Sequence, residues 1–308
     1  IALNSCPSPR GCVMGCARGI AMTRTLPILT IVAAIIVFWY AMTVVMNSKW
    51  TYDQASRAGV EVSFSEMVAD TLAQDRPVLP APHQVVAEIW KTTAEQKVTS
   101  KRSLVYHGWV TLSATLLGFA IGTALGISIA IGIVYSRVMD GSVMPWVIAS
   151  QTIPILAIAP MIVVMFNSLG VTGLLPKAII SAYLSFFPVT VGMVKGLRAP
   201  EGHLLDLMRT YNASRLAVLW KLRLPASMPY LFASLKIAMA ASLVGAIVGE
   251  MPTGAKAGFG ARLLVGSQFG QPLTIWSALI GAAVLAGLLM IVISVIQRAT
   301  LKRMGMAT

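Results

Sequence analysis

The sequence predicts an all-α polytopic membrane protein with six transmembrane helices, and three observations carry that prediction. Of its 308 residues 56% are hydrophobic and only 11% charged, with a mean hydropathy of +0.77, far too apolar for an ordinary soluble domain. Charge-free runs of about 20 residues, the length needed to cross the hydrocarbon core, recur along the chain. The net charge of +13 is spread over the short polar links between those runs. A nucleic-acid surface would gather it into one stripe, so the charge reads as membrane topology and assigns no nucleic-acid partner.

Residues 1–25 read as a cytoplasmic tail. The first 21, IALNSCPSPRGCVMGCARGIA, are polar and rich in Gly and Pro, which predicts disorder, with Met22 as a candidate translation start. Cys6, Cys12 and Cys16 match no paired zinc spacing. The first span is set at 26–46, between Arg24 and Lys49; its apolar core exceeds that of a signal peptide and no small-residue cleavage site follows. Residues 47–107 are the one sizeable extracytoplasmic segment, with helices expected at 61–74 and from His83. It is either a contact for a soluble protein or a connector.

The second span, 108–135, carries Gly118, Gly122 and Gly126 at four-residue spacing, a small face suited to close helix packing within the chain or across a dimer. The charge-free stretch 141–176 is longer than one span needs, and Pro145, Gly170 and Gly173 place the third helix at 146–166. Pro154 and Pro160 each remove a backbone donor, which membrane depth tolerates only beside neighbours or a water-lined cavity. The third helix is therefore expected to face a translocation path. Gln151 and Thr152, ahead of Pro154, are available either to substrate or to an interhelical hydrogen bond. The fourth span is set at 174–194, with Lys177 at its outer end reaching for the headgroups; the fifth at 229–250; the sixth at 274–296, followed by a short tail at 304–308.

Residues 198–229, RAPEGHLLDLMRTYNASRLAVLWKLRLPASMP, are the one polar stretch deep in the chain. Leu204, Leu207, Met208 and Tyr211 recur at helical spacing, and Asn212 follows as a residue that tolerates the left-handed conformation at a helix end. Ser214 is placed to cap a second helix through Leu216, Leu219 and Trp220, until Pro225 pushes Leu224 out of helical geometry. Two short helices joined by a turn cannot bury their apolar stripe alone, which predicts a docking element for a soluble partner. The short links on this side carry Arg137, Arg198, Arg209, Arg215, Lys221, Arg223, Arg298, Lys302 and Arg303, against Lys177, Lys256 and Arg262 on the other. The positive-inside rule then makes both termini cytoplasmic. Glu250 ends the fifth span with three readings open: it sits in the headgroups, pairs with Lys256 or Arg262, or faces the path.

The docking stretch resembles the EAA loop of binding-protein-dependent ABC importer permeases, and within them the nitrate, sulfonate and taurine branch. Asp206 stands at the Glu of E-A-A, Leu207 and Met208 at the two Ala, Asn212 at the Gly, and Leu224-Pro225 closes the motif after Arg223. LPAPHQVVAEIW at 79–90, QTIPILAIAPMIVVMF at 151–166 and GEMPTGAKAGFGARLL at 249–264 resemble further segments of the family. The resemblance implies a permease core over 108–303, with coupling helices between spans four and five. It implies a transport subunit, one of a pair expected to be a homodimer in the lipid of a bacterial inner membrane, fed by an extracytoplasmic substrate-binding protein. Asp206 and Arg209 would orient the docking helix, Asn212 set the turn, and Leu224-Pro225 fix the start of the fifth span. The implied substrates are small nutrients: nitrate, sulfonate, taurine or a pyrimidine-like vitamin precursor.

The sequence holds no G-x-x-x-x-G-K-[ST] phosphate loop, so the chain is read as no enzyme and as holding no cofactor. ATP and Mg would reside on cytoplasmic ATP-binding subunits. Two rivals are an ion-driven secondary transporter, which would carry polar groups near mid-membrane, and a membrane enzyme built on Glu201, His203 and Asp206.

Overall fold

The computed structural model describes residues 9–59, 61–251 and 257–306, with side chains from Leu26. The described residues form helices and connecting turns, with no strand among them. Two units divide the chain, 1–87 and 88–308. Residues 9–21, for which disorder is expected, are the beginning of a helix; residues 1–8, and the side chains of Cys12 and Cys16, lie outside the described residues.

In the first unit α1, Pro9–Ala58, is one long helix whose residues from Leu26 to Phe38 include nine large exposed apolar side chains. That is the surface a lipid-facing span presents. Helix α2, Phe64–Ala73, packs against it. The joint is made by Asn47, fully buried on α1. Its Oδ1 accepts from the amides of Val78 and Leu79 at 2.8 and 3.2 Å, and its Nδ2 donates to Leu79 O and Thr71 O at 2.9 and 3.4 Å. A buried amide with both ends satisfied fixes the otherwise irregular 74–81 segment. Helix α3, Pro82–Trp90, follows.

The second unit is built on α4, Leu104–Tyr135, followed by α5, Arg137–Ala149; α6, Ile155–Ser168; and α7, Leu174–Leu197. After these come α8, Gly202–Thr210; α9, Arg215–Val218; α10, Leu224–Glu250; α11, Phe259–Gln268; and α12, Pro272–Arg303. Its centre is the trio α4, α7 and α10.

The glycine face of α4 meets α7 of the same chain. A Cβ at Gly118 would stand 2.6 Å from Ala178 O, one at Gly122 2.8 Å from Ala182 O, and one at Gly126 2.8 Å from Phe186 O. The backbones approach closely because nothing stands between them. Position numbers rise together along this seam, so α4 and α7 run parallel. Helix α10 runs the other way: Ser227 and Ser234 lie against Gly196 and Gly192, and Gly249 against Lys177. Hydroxyls stitch the trio, with Ser181 Oγ donating to Ser242 O and Ser242 Oγ to Thr115 O at 2.8 Å. Helix α12 lies alongside, packing Ala278 against Leu104 and Phe259 at one end and Leu289 and Ile293 against Met239 further along. Val284, Leu288, Ile291 and Val295 are left exposed on its other face.

The third span corrects the expectation of a single helix at 146–166. α5 and α6 meet at a 97° bend, reached through a tight turn at Ser150–Thr152 and an extended Ile153, φ −80° and ψ 120°. Pro154 is the reason. Its ring forces the preceding residue out of helical geometry, and it begins α6 as a cap where a missing amide costs nothing. The Tyr183 hydroxyl donates to Ser150 O and holds the bend against α7. Because α4 and α7 are parallel neighbours, the chain between them must travel back across the same thickness, so the bent pair makes one crossing. With it, the described residues hold six crossing segments.

Candidate functional site

Two regions stand out at opposite ends of the trio. At the end where α4 and α7 finish and α10 begins lies the loop 198–223. Helix α8 starts from Glu201, whose carbonyl accepts from Leu204 N at 3.1 Å. It ends at Asn212, the only described residue other than glycine at positive φ, 50°. Asn212 N donates to Arg209 O at 2.8 Å and Ala213 N to Met208 O at 3.0 Å, the paired bonds of a left-handed helix stop. Asp206 and Arg209 pair on the outer surface at 3.0 Å. Leu204, Leu207, Tyr211, Leu216 and Trp220 are all exposed, and no residue of α8 is buried. Leu205 and Met208 turn partly inward.

Ser214 caps the next helix, its hydroxyl accepting from Ala217 N at 3.2 Å. That helix does not stop at Leu224-Pro225. Leu224 is helical, φ −64° and ψ −48°, and residues 215–250 form one continuous helical segment. The expected break is absent because Leu219–Arg223 is a widened turn in which Leu224 N reaches back five residues to Leu219 O. Widening moves the carbonyl that the Pro225 ring would strike and leaves the missing amide without a lost partner. Arg223 fastens the base of this rod: Nη1 donates to Leu197 O at 3.0 Å, and the guanidinium lies 5.7 Å from the ring centre of Tyr135. Arg198 joins Asp140 of α5 at 2.8 Å.

The other end holds Glu250, and neither the headgroup reading nor the pairing with Arg262 holds there. Its side chain is fully buried within the chain, so it reaches no headgroup and lines no open path in this conformation. Arg262 is engaged elsewhere, donating to Arg102 O at 3.3 Å, and Lys256 lies outside the described residues. The partner is Lys177, Nζ 3.8 Å from Oε1. Lys177 is itself buried and donates to Ala257 O at 3.1 Å instead of reaching outward. Thr111 Oγ1 lies 3.0 and 2.9 Å from the two carboxyl oxygens.

Three successive amides at the start of α11 are each received by a side chain. Gly258 N donates to His107 Nδ1 at 2.9 Å, Phe259 N to Thr111 Oγ1 at 2.9 Å, and Gly260 N to Glu250 Oε2 at 3.0 Å. His107 must then carry its proton on Nε2, 2.9 Å from Lys101 O. The first amides of a helix lack partners of their own; here α4 and α10 supply them from outside. Gly258, at φ 125°, packs against the Glu250 carboxyl, and Gly260 against Ile247 O. The G-x-G spacing is what lets the three donors come this close. His107, Thr111 and Lys177 were not singled out for this role; a charge or hydroxyl at the start of an apolar run is the signal that could have found them.

The remaining candidates are dispersed. Gln151 and Thr152 are exposed at the bend, and the Thr152 hydroxyl donates to Ala149 O of its own turn at 2.8 Å. Glu201 pairs with His203 at 3.1 Å while Asp206 pairs with Arg209, both on the exposed surface. The three groups of the enzyme reading are therefore not gathered into one site, and no cluster with metal-ligating composition occurs among the described residues.

Residues 122–306 match the family described as binding-protein-dependent transport system inner membrane component. Over 192 residues the chain is 34% identical to a probable ABC transporter permease protein of Haemophilus influenzae, covering 62% of this chain and 74% of that one. It is 30% identical over 184 residues to the formylaminopyrimidine transport permease protein of Halalkalibacterium halodurans, covering 59% and 68%. Identity to the riboflavin transport system permease protein of Chloroflexus aurantiacus is 28% over 222 residues, 72% and 78% of the two chains. With the matched region taking in most of the trio, the whole 198–223 loop and α12, the chain belongs to the binding-protein-dependent inner-membrane component family: it is a multi-pass permease subunit of an ABC importer.

Proposed function

We propose that residues 201–225 are the surface through which cytoplasmic ATP-binding subunits drive this permease. One observation carries the reading: α8 presents Leu204, Leu207 and Tyr211 uncovered, on a turn that leads into a continuous helical rod ending at Glu250. A partner that grips the stripe moves the rod. Asp206 and Arg209 orient α8, Asn212 sets its stop, and Leu224-Pro225 lies within the rod as part of the lever. ATP and Mg belong to the partner, and this chain holds no ATPase site of its own.

Two copies of the chain line the path, with Gln151, Thr152 and Pro154 at the bend of the third span facing it. An extracytoplasmic binding protein delivers the substrate. Both termini are cytoplasmic, a reading supported by α12, which runs parallel to α4 and so finishes on the side of the docking loop. The substrate is a small nutrient of the nitrate, sulfonate, taurine or pyrimidine-precursor class, and the formylaminopyrimidine relative favours the last.

The test is Asn212→Val. A β-branched residue in the left-handed region costs about 1–2 kcal/mol or more, enough to displace the stop without unfolding the spans. Membrane insertion is expected to persist while transport separates from ATP hydrolysis; unchanged transport would overturn the assignment.

A further inference from the structure

Behind the docking helix, on the face of α8 away from Leu204, Leu207 and Tyr211, lies a crevice of about 410 Å³. Arg209, Arg215 and Arg223 line it together with the apolar side chains of Val134, Leu205 and Val218 and the ring of Tyr135. No carboxylate lines it. Arg209 has Asp206 as a partner outside the crevice. Among the described residues neither Arg215 nor Arg223 has an acidic partner within ion-pair distance. Arg223 in addition has a buried Nε with no hydrogen-bond partner, although its Nη1 is used by Leu197 O.

Three arginines lining one space with no carboxylate among its lining residues, one of them with an unmet buried donor, describe a site short of negative charge. The planar fork of arginine matches phosphate oxygens in pairs. The setting narrows the source. The crevice sits at the membrane boundary, where α4 ends and the rod begins, and Trp220 on the same rod is 67% exposed, as an indole at headgroup level would be. Its apolar wall suits the glycerol and first methylenes of a lipid, and basic pockets at the ends of spans take acidic headgroups.

We propose that this crevice binds the phosphate headgroup of an anionic phospholipid from the leaflet on the loop side. The lipid acts as a wedge between α8 and the end of α4, and supplies the charge that Arg215 and Arg223 lack. The proposal rests on the membrane placement of the chain and not on the coupling role of α8.

The experiment is native mass spectrometry of the full chain in mild detergent, titrated with phosphatidylglycerol or with phosphatidylcholine of the same acyl chains. One phosphatidylglycerol per chain is expected to be held about tenfold more tightly than phosphatidylcholine, or roughly 1.4 kcal/mol. Arg215→Gln, an exposed change outside the packed trio, should abolish most of that preference. Arg223→Lys should also weaken it, because the charge remains and the fork is lost. Equal retention of the two lipids, or a preference unchanged in both variants, would overturn the proposal. So would stabilisation by inorganic phosphate without any phosphatidylglycerol preference, which would mark a small-anion site. A preference absent from the chain carrying its ATP-binding subunits would overturn it in favour of an acidic side chain from those subunits.

Discussion

Gly260 and Glu250 are ten positions apart and meet end on, the glycine amide donating to the buried carboxyl at 3.0 Å. The helix that begins at Phe259 is thereby capped by the helix that ends at Glu250, with Thr111 and His107 of α4 receiving the two preceding amides. Glu250 is a clamp for the start of α11.

Removing the clamp should therefore be costly. Glu250→Ala leaves the Gly260 amide and the Thr111 hydroxyl without their acceptor and the Lys177 ammonium without its counter-charge, and breaking a buried pair of this kind costs about 3–5 kcal/mol. Glu250→Gln keeps one acceptor oxygen and should lose less. Thermal unfolding in detergent should rank wild type above Gln above Ala, and adding Lys177→Met to Glu250→Gln should restore part of the loss. Equal melting of all four proteins would reject the clamp.

The glycines of the clamp are the next test. Gly258→Ala places a methyl on a backbone at φ 125° against the carboxyl, and Gly260→Ala drives one into Ile247 O. Each should free the 257–271 segment. Hydrogen exchange of the α11 amides measures it, with protection expected to fall in both variants and to hold in Gly287→Ala, within α12, where a Cβ meets nothing within 4 Å.

The α4–α7 seam separates two kinds of glycine. Gly122→Ala should destabilise, because its Cβ would crowd Ala182 O, by about 1–3 kcal/mol. Gly141→Ala in α5 meets open space and should stabilise by about 0.5–1 kcal/mol through helix propensity alone. Opposite shifts in unfolding temperature are the expected result; shifts of the same sign would contradict the packing described.

Pro225→Ala tests the widened turn. Without the ring the Leu219–Arg223 segment is free to revert to the ordinary hydrogen-bond register, which rotates Arg215–Trp220 by about 100° against α10. The protein should fold and insert, and its copurification with ATP-binding subunits should fall. Undiminished association would show that the widened turn does not set the face α8 and α9 present.

Much of this was legible in the sequence, and what was not has two causes. Local chemistry gave Asn212 its left-handed stop, Ser214 its cap and Gly118, Gly122 and Gly126 their seam, because each depends on a few neighbouring residues. The two prolines misread as to outcome, Pro154 and Pro225, are locally alike. One bends the chain by 97° and the other is absorbed. What decides between them is whether the preceding turn tightens or widens, and that follows from packing against α7 in one case and from the Arg223 anchor in the other. The clamp was illegible for a different reason: Thr111 and Glu250 are 139 positions apart and His107 and Gly258 are 151. No spacing rule reaches that far.

The unbroken rod from Arg215 to Glu250 carries a mechanical consequence. At 1.5 Å per residue its 36 residues measure about 54 Å, and a tilt of about 5° about the midpoint displaces each end by roughly 2 Å in opposite directions. One end adjoins the loop proposed as the docking surface, and the other carries the carboxyl that seats α11. A see-saw of this kind cannot open both faces of the membrane together, since whatever draws one end inward swings the other out, and 2 Å is already enough to part the Gly260 amide from its acceptor.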